Sequence, residues 1–262
     1  MPRFAANLTM MFNEHDFLDR FDAAAAAGFE AVEFLFPYDY PVEQVVERVQ
    51  RNGLTVVLMN LPAGDWAAGE RGMAALPSRA ADMRSAFERA TPYIRALRVP
   101  RVHLMAGIAP NDEYHWRAYR ESVRWCASQA LLLGIDVLLE PVNRRDMPGY
   151  FMSDVDAALA LIEELHLPNV RLQLDLYHAQ IIHGDVTTRL RRAMPVLGHV
   201  QVASVPSRHE PDGEELNCAF LFDELDRLGY GGHIGCEYRP RGRTEDGLGW
   251  LAAWTNGAKA VV

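Results

Sequence analysis

Short apolar runs alternate with longer amphipathic stretches along the whole chain. Runs at residues 3–8, 31–36, 55–60, 101–105, 136–140, 170–175, 199–202 and 233–237 are rich in Val, Leu, Ile, Phe and Ala. Runs this short and this continuously apolar predict strands buried on both faces. Between them, residues 15–27, 42–52, 78–97, 112–133, 154–165, 186–197, 219–228 and 248–254 read as helices. Gly28, Gly53, Gly134 and Gly229 follow four of these stretches, where a helix C-terminus favours glycine. Ser153 reads as the N-cap of residues 154–165. Residues 62–77, rich in Gly and Ala, read as a long loop.

A strand that alternates with helices pairs in parallel, because each parallel pair needs a crossover. Eight such units predict a closed (β/α)8 TIM barrel. An open doubly wound sheet is the alternative. The first turn, Leu8-Thr9-Met10-Met11-Phe12, holds none of the glycines of a dinucleotide-binding fingerprint. The length of 262 residues suits one barrel of about 250. No linker or low-complexity tract divides the chain, so residues 1–262 read as one catalytic domain.

Composition narrows the function classes. Hydrophobic residues make up 49% and charged residues 23%, which excludes a disordered chain. Lys and Arg number 26 against 35 Asp and Glu, a net charge of −9, which argues against nucleic acid as a partner. The longest apolar stretch, 130–142, is interrupted by Gly134, Asp136 and Glu140, so no membrane span is expected. Residues 1–7 lack the apolar core of a secretory signal. The three cysteines, Cys126, Cys218 and Cys236, form no close metal-type pair; a reducing cytoplasm is the expected location.

In such a barrel, chemistry sits at the C-terminal ends of the strands. The strand ends of the second half carry Glu140, Asp175, Gln201 and Glu237, spaced 35, 26 and 36 residues apart. Each interval is about one strand–helix unit, so four successive strands would bring these groups together at the mouth. Any one of them alone reads as readily as a helix cap or a surface group. Together they make three carboxylates that repel unless a cation neutralises them. An all-oxygen set of three carboxylates and one amide suits a hard divalent ion, Mg2+ or Mn2+, better than zinc.

The segments Glu140-Pro141-Val142-Asn143, Leu174-Asp175-Leu176-Tyr177-His178, His199-Val200-Gln201-Val202, Pro206-Ser207-Arg208-His209-Glu210-Pro211 and Gly235-Cys236-Glu237-Tyr238 resemble the hydroxypyruvate isomerase family. So do residues 31–39 and the stretch Asn60-Leu61-Pro62-Ala63-Gly64-Asp65-Trp66. This family belongs to the xylose-isomerase-like barrels and includes 2-oxo-tetronate isomerases. The resemblance implies a metal held by Glu140, Asp175, Gln201 and Glu237, with Glu140 and Glu237 as the acid/base pair. It implies a pocket lined by His178, Arg208, Glu33 and His103. Arg208 is the first choice for the substrate carboxylate and Arg239 the second, with Trp66 as a cover over the site. The implied reaction is hydroxypyruvate to tartronate semialdehyde, or the equivalent shift in a 2-oxo-tetronate.

Three positions depart from the family pattern. Ser204 stands where aspartate is common, Arg239 where lysine is common, and His183 where glutamate is common. They bear on substrate choice more than on the metal. The rival on the same scaffold is a ketose 3-epimerase or a related dehydratase; Gln201 counts against the epimerase, which usually has histidine there. An abasic-DNA endonuclease would need three metals, more histidine ligands and a basic groove. A noncatalytic sugar-acid binding protein is the rival of another class. A homo-oligomer is compatible with the sequence.

Overall fold

The computed structural model describes residues 1–255. Eight parallel strands close into a barrel in chain order: β1 (Arg3–Asn7), β2 (Ala31–Phe34), β3 (Thr55–Asn60), β4 (Arg101–His103), β5 (Asp136–Leu139), β6 (Val170–Asp175), β7 (Leu197–Val202) and β8 (His233–Cys236). Closure comes from β8 pairing with β1, Phe4 opposite Ile234 and Ala6 opposite Cys236. The expected (β/α)8 barrel is present and the open sheet is not.

The helices are α1 (Arg20–Ala26), α2 (Val42–Arg51), α3 (Ala80–Leu97), α4 (Glu113–Leu133), α5 (Val155–Leu165), α6 (Leu176–Ile182), α7 (Val186–Ala193), α8 (Cys218–Arg227) and α9 (Gly249–Thr255). In α4, Tyr119, Val123, Cys126, Ala127 and Ala130 are buried, a stripe at helical spacing turned inward. Its end is set by Gly134, whose φ of 69° lies in the left-handed region. No helix of the described residues is long and apolar enough to cross a membrane.

Three local expectations need correction. The N-cap of α5 is Asp154, not Ser153: its carboxylate accepts from the Ala157 N–H at 2.9 Å. Strands β1, β2, β4, β5 and β8 end one or two residues early, at Asn7, Phe34, His103, Leu139 and Cys236. Residues 15–19 are not in α1; Phe17–Asp19 form a 3-10 turn before it. Helix α6 was not expected at all. Asp175, the last residue of β6, caps it by accepting from the Tyr177 N–H at 2.9 Å, so strand passes straight into helix.

Candidate active site

The C-terminal mouth of the barrel opens on a cavity of about 480 Å3, whose wall includes Glu33, Glu140, Gln201 and Glu237. Asp175 and Gln201 stand opposite each other on β6 and β7, and Gln201 stands opposite Gly235, two residues before Glu237. Ligand atoms of Glu140, Asp175 and His178 lie within 4.8 Å of one another. Glu237 joins through Arg208, whose Nη2 is 3.1 Å from Glu237 Oε1 and 3.6 Å from Asp175 Oδ2.

These acids are under strain as charges. Burial pushes the Glu140 carboxyl well up, and Glu237 and Asp175 push it further. Burial also raises Glu237, against the pull of Arg208, and raises Asp175 against the same cation. Asp175 Oδ2 is buried and accepts no hydrogen bond. Its Oδ1 is committed to the cap of α6.

His178 is fixed in one tautomer. The Asp146 N–H donates to Asn143 Oδ1 at 2.9 Å, which leaves the Asn143 Nδ2 to donate to His178 Nδ1 at 2.6 Å. The Asn143 backbone N–H also faces that Nδ1 at 3.5 Å. With Nδ1 accepting, the ring proton sits on Nε2, 3.6 Å from Asp175 Oδ2. Burial and the Arg208 charge hold this imidazole neutral. The ring therefore presents a donor, and a protonated Nε2 ligates no metal.

Below the mouth lies a second polar group of a different kind. The Glu33 carboxyl is fully buried and receives Asn7 Nδ2 at 2.9 Å and Gln201 Nε2 at 2.8 Å, with His199 Nε2 at 2.6 Å. Gln201 Oε1 in turn accepts from Gln173 Nε2 at 2.6 Å. Gly235 has no side chain because Glu33 fills that space: a Cβ there would come within 2.3 Å of its Oε2.

The remaining expected residues fall as follows. His103 is buried behind Glu140, with Nδ1 3.2 Å from Glu140 Oε2, and is set back from the cavity wall. Trp66 lies on the wall, 38% exposed, its ring 5.3 Å from Phe36. Arg239 is exposed at the rim, and its backbone pins the Arg208 loop: its N–H donates to the Arg208 carbonyl at 2.7 Å. Ser204 closes the same loop, its Oγ accepting from the His209 N–H at 3.0 Å. His183 lies away from the mouth at the start of α5, where its Nε2 accepts from the Val155 N–H at 3.3 Å. Sequence reasoning gave no role to Arg71, Asn143 or Gln173. Asn143 stood in a quoted motif; Arg71 lies in a loop with no periodicity to mark it.

A parallel eight-stranded barrel with a ring of acids at its C-terminal mouth defines the class: a TIM barrel built like a catalytic one. Residues 21–254 match the family model described as xylose isomerase-like TIM barrel. The chain belongs to the xylose isomerase-like TIM barrel family. It is 53% identical over 254 residues to a 2-oxo-tetronate isomerase from Cupriavidus necator, covering 96% of this chain and 98% of that one. It is 40% identical over 254 residues to the hydroxypyruvate isomerase of Escherichia coli, with 96% and 98% covered. A crystal structure described as AP endonuclease, family 2, from Brucella melitensis superposes with a TM-score of 0.95. That chain is 49% identical, with 97% of this chain and 99% of that one covered. The resemblance read from the strand-end motifs is thus met by relatives of the same names, and by this kinship the protein is an isomerase.

Proposed function

We propose that the protein isomerises a small hydroxy-oxo acid, hydroxypyruvate or a 2-oxo-tetronate, moving a carbonyl between adjacent carbons. The observation that carries this reading is the meeting of Glu140, Glu237 and the His178 donor around one cavity in a chain whose relatives bear those names. The reaction needs a base at one carbon and an acid at its neighbour. Glu140 and Glu237 reach the cavity from β5 and β8 and fill these two roles. One takes the carbon-bound proton, the hydroxyl proton passes to the former carbonyl oxygen, and the other acid returns a proton to the neighbouring carbon. The Nε2–H of His178 donates to a substrate oxygen and orients it. His103 steadies Glu140 from behind. Arg208 keeps positive charge beside Glu237 and Asp175, and Trp66 shields the pocket from water.

A divalent metal ion, Mg2+ or Mn2+, fits the residues present. The bare Asp175 Oδ2 and the raised Glu140 and Glu237 carboxyls support this fit, as does an oxygen-only donor set. Glu140, Asp175, Gln201 and Glu237 would hold the ion. When bound, it would supply Lewis-acid polarisation of the substrate's carbonyl and hydroxyl oxygens.

The test is a panel of hydroxypyruvate, 2-oxo-tetronates and ketohexoses, each with Mg2+ or Mn2+ in deuterated water. Isomerised acid carrying solvent deuterium is the expected product. Turnover of ketohexoses alone, with inversion at C3, would replace this reading by the epimerase. Binding without turnover of any member would replace it by a noncatalytic sugar-acid protein.

A further inference from the structure

Three arginines reach the mouth cavity: Arg71, Arg208 and Arg239. They differ in what already holds them. The Arg208 guanidinium is engaged by Glu237, Asp175 and Asp146. Arg239 is exposed at the rim, and its recorded contacts are through its backbone. Arg71 takes part in none of the ion pairs recorded among the described residues. Its two side-chain hydrogen bonds both leave from Nη1, to the Trp66 carbonyl at 3.0 Å and the Glu70 carbonyl at 2.8 Å. Its guanidinium carbon lies 4.0 Å from the centroid of the Trp66 ring.

The stack and the two carbonyls fix the plane of this cation and leave its Nη2 and Nε without a protein acceptor. The loop beneath it is equally constrained. Gly72 bridges to Ala106, its N–H donates to the Ala63 carbonyl at 2.9 Å, and the Ala75 N–H donates to the Ala106 carbonyl at 2.8 Å. Gly72 has φ of 117°, and a Cβ there would come within 2.4 Å of the Met105 carbonyl oxygen. Only glycine allows this approach. Glu70 clamps the loop from the other side by pairing with Arg79 and accepting the Asp65 N–H at 2.6 Å.

A rigid guanidinium with a free edge on a cavity wall is built for a planar anion, which it binds through two parallel N–H donors. Arg71 follows β3, two strands from Glu140 at the end of β5 and three from Asp175 on β6 and Glu237 after β8. Glu140, Asp175 and Glu237 repel a carboxylate, and the free edge of Arg71 attracts one. We propose that Arg71, stacked on Trp66, forms the carboxylate subsite that makes this barrel select hydroxy-oxo acids over neutral ketoses. This deepens the isomerase reading and rests on it for the identity of the acid.

The test separates the two. Calorimetry with Mg2+ present measures binding of glycerate, a three-carbon hydroxy acid without the reactive carbonyl, to the wild type, Arg71→Met and Arg71→Gln. Wild-type binding weakened at least tenfold in both variants is expected, the scale of a lost charge-assisted pair. For turnover, the ratio of kcat/KM for hydroxypyruvate to that for dihydroxyacetone, which lacks the carboxylate, should fall by a similar factor through KM. Arg71→Lys should restore part of it. Equal glycerate affinity in wild type and both variants overturns the assignment, as does failure of the wild type to bind glycerate. A wild type that binds glycerate through Arg71 yet turns over no hydroxy-oxo acid would overturn the isomerase reading alone. Far-ultraviolet circular dichroism on each variant excludes loss of fold as the cause.

Discussion

Two groups of buried acid share one barrel, Glu33 on β2 and Glu140, Asp175 and Glu237 at the ends of β5, β6 and β8, and they are solved in opposite ways. Glu33 sits on the floor with its oxygens met by Asn7, His199 and Gln201. Glu140, Asp175 and Glu237 crowd the same mouth, with Arg208 beside Asp175 and Glu237 and with Asp175 Oδ2 bare. A buried polar group is tolerated when it is fully partnered. The Glu33 carboxyl obeys this rule, although His199 Nδ1 and Gln173 Oε1 beside it are unpartnered, whereas at the mouth a carboxylate oxygen, Asp175 Oδ2, is bare. Stability explains the first arrangement; the second is explained only by something the mouth is there to do.

The contrast breaks most sharply under one chemical change made in both places. Glu140→Gln or Glu237→Gln should lower kcat by about 10²–10⁴-fold, as loss of a general acid or base does. Metal-free Glu140→Gln should unfold in urea at the same or a higher midpoint than wild type, since one of three repelling acids is gone. Wild-type turnover in either variant would remove the acid/base assignment. Glu33→Gln should do the reverse. It turns an amide toward three buried donors and should cost about 3 kcal/mol in urea unfolding, the scale of a broken buried pair. A loss below about 1 kcal/mol would show that the floor is not what holds these strands.

The smallest effect sharpens the comparison outside the barrel. Glu224 on α8 is an acid with cations to spare. Hydrogen bonds from Arg227 and Arg191 hold its carboxyl down at about 2, against an ordinary 4.5. A depressed carboxyl stabilises the fold above its unfolded pKa, and this is lost as pH falls through the folded value. Lowering the pH from 5 to 2 should therefore reduce the wild-type Tm more than that of Glu224→Gln. Parallel Tm curves for the two would remove this contribution.

The barrel was legible because its strands are buried on both faces, and an uninterrupted apolar run such as Val137 to Leu139 leaves little else to be. The acids of the mouth were legible because their spacing matched the repeat. What sequence could not carry is orientation. Nothing in Glu140-Pro141-Val142-Asn143 says that the asparagine amide would set the tautomer of a histidine on the next strand unit. Nor does the Gly- and Ala-rich stretch around Arg71 say that its guanidinium would lie over Trp66 and line the cavity. Helix α6 is not legible because its cap, Asp175, is also the last residue of β6, so no turn or loop residue marks where the helix starts.

That double assignment has an engineering consequence. With one oxygen tied to the first turn of α6, Asp175 cannot be exchanged for histidine or glutamate without loosening the helix that also bears Tyr177 and His178. Gln201 caps no helix; its bonds run to the side chains of Glu33 and Gln173, so a replacement there must still donate to Glu33. Efforts to retune this barrel toward new chemistry should start on the seventh stave and leave the sixth alone.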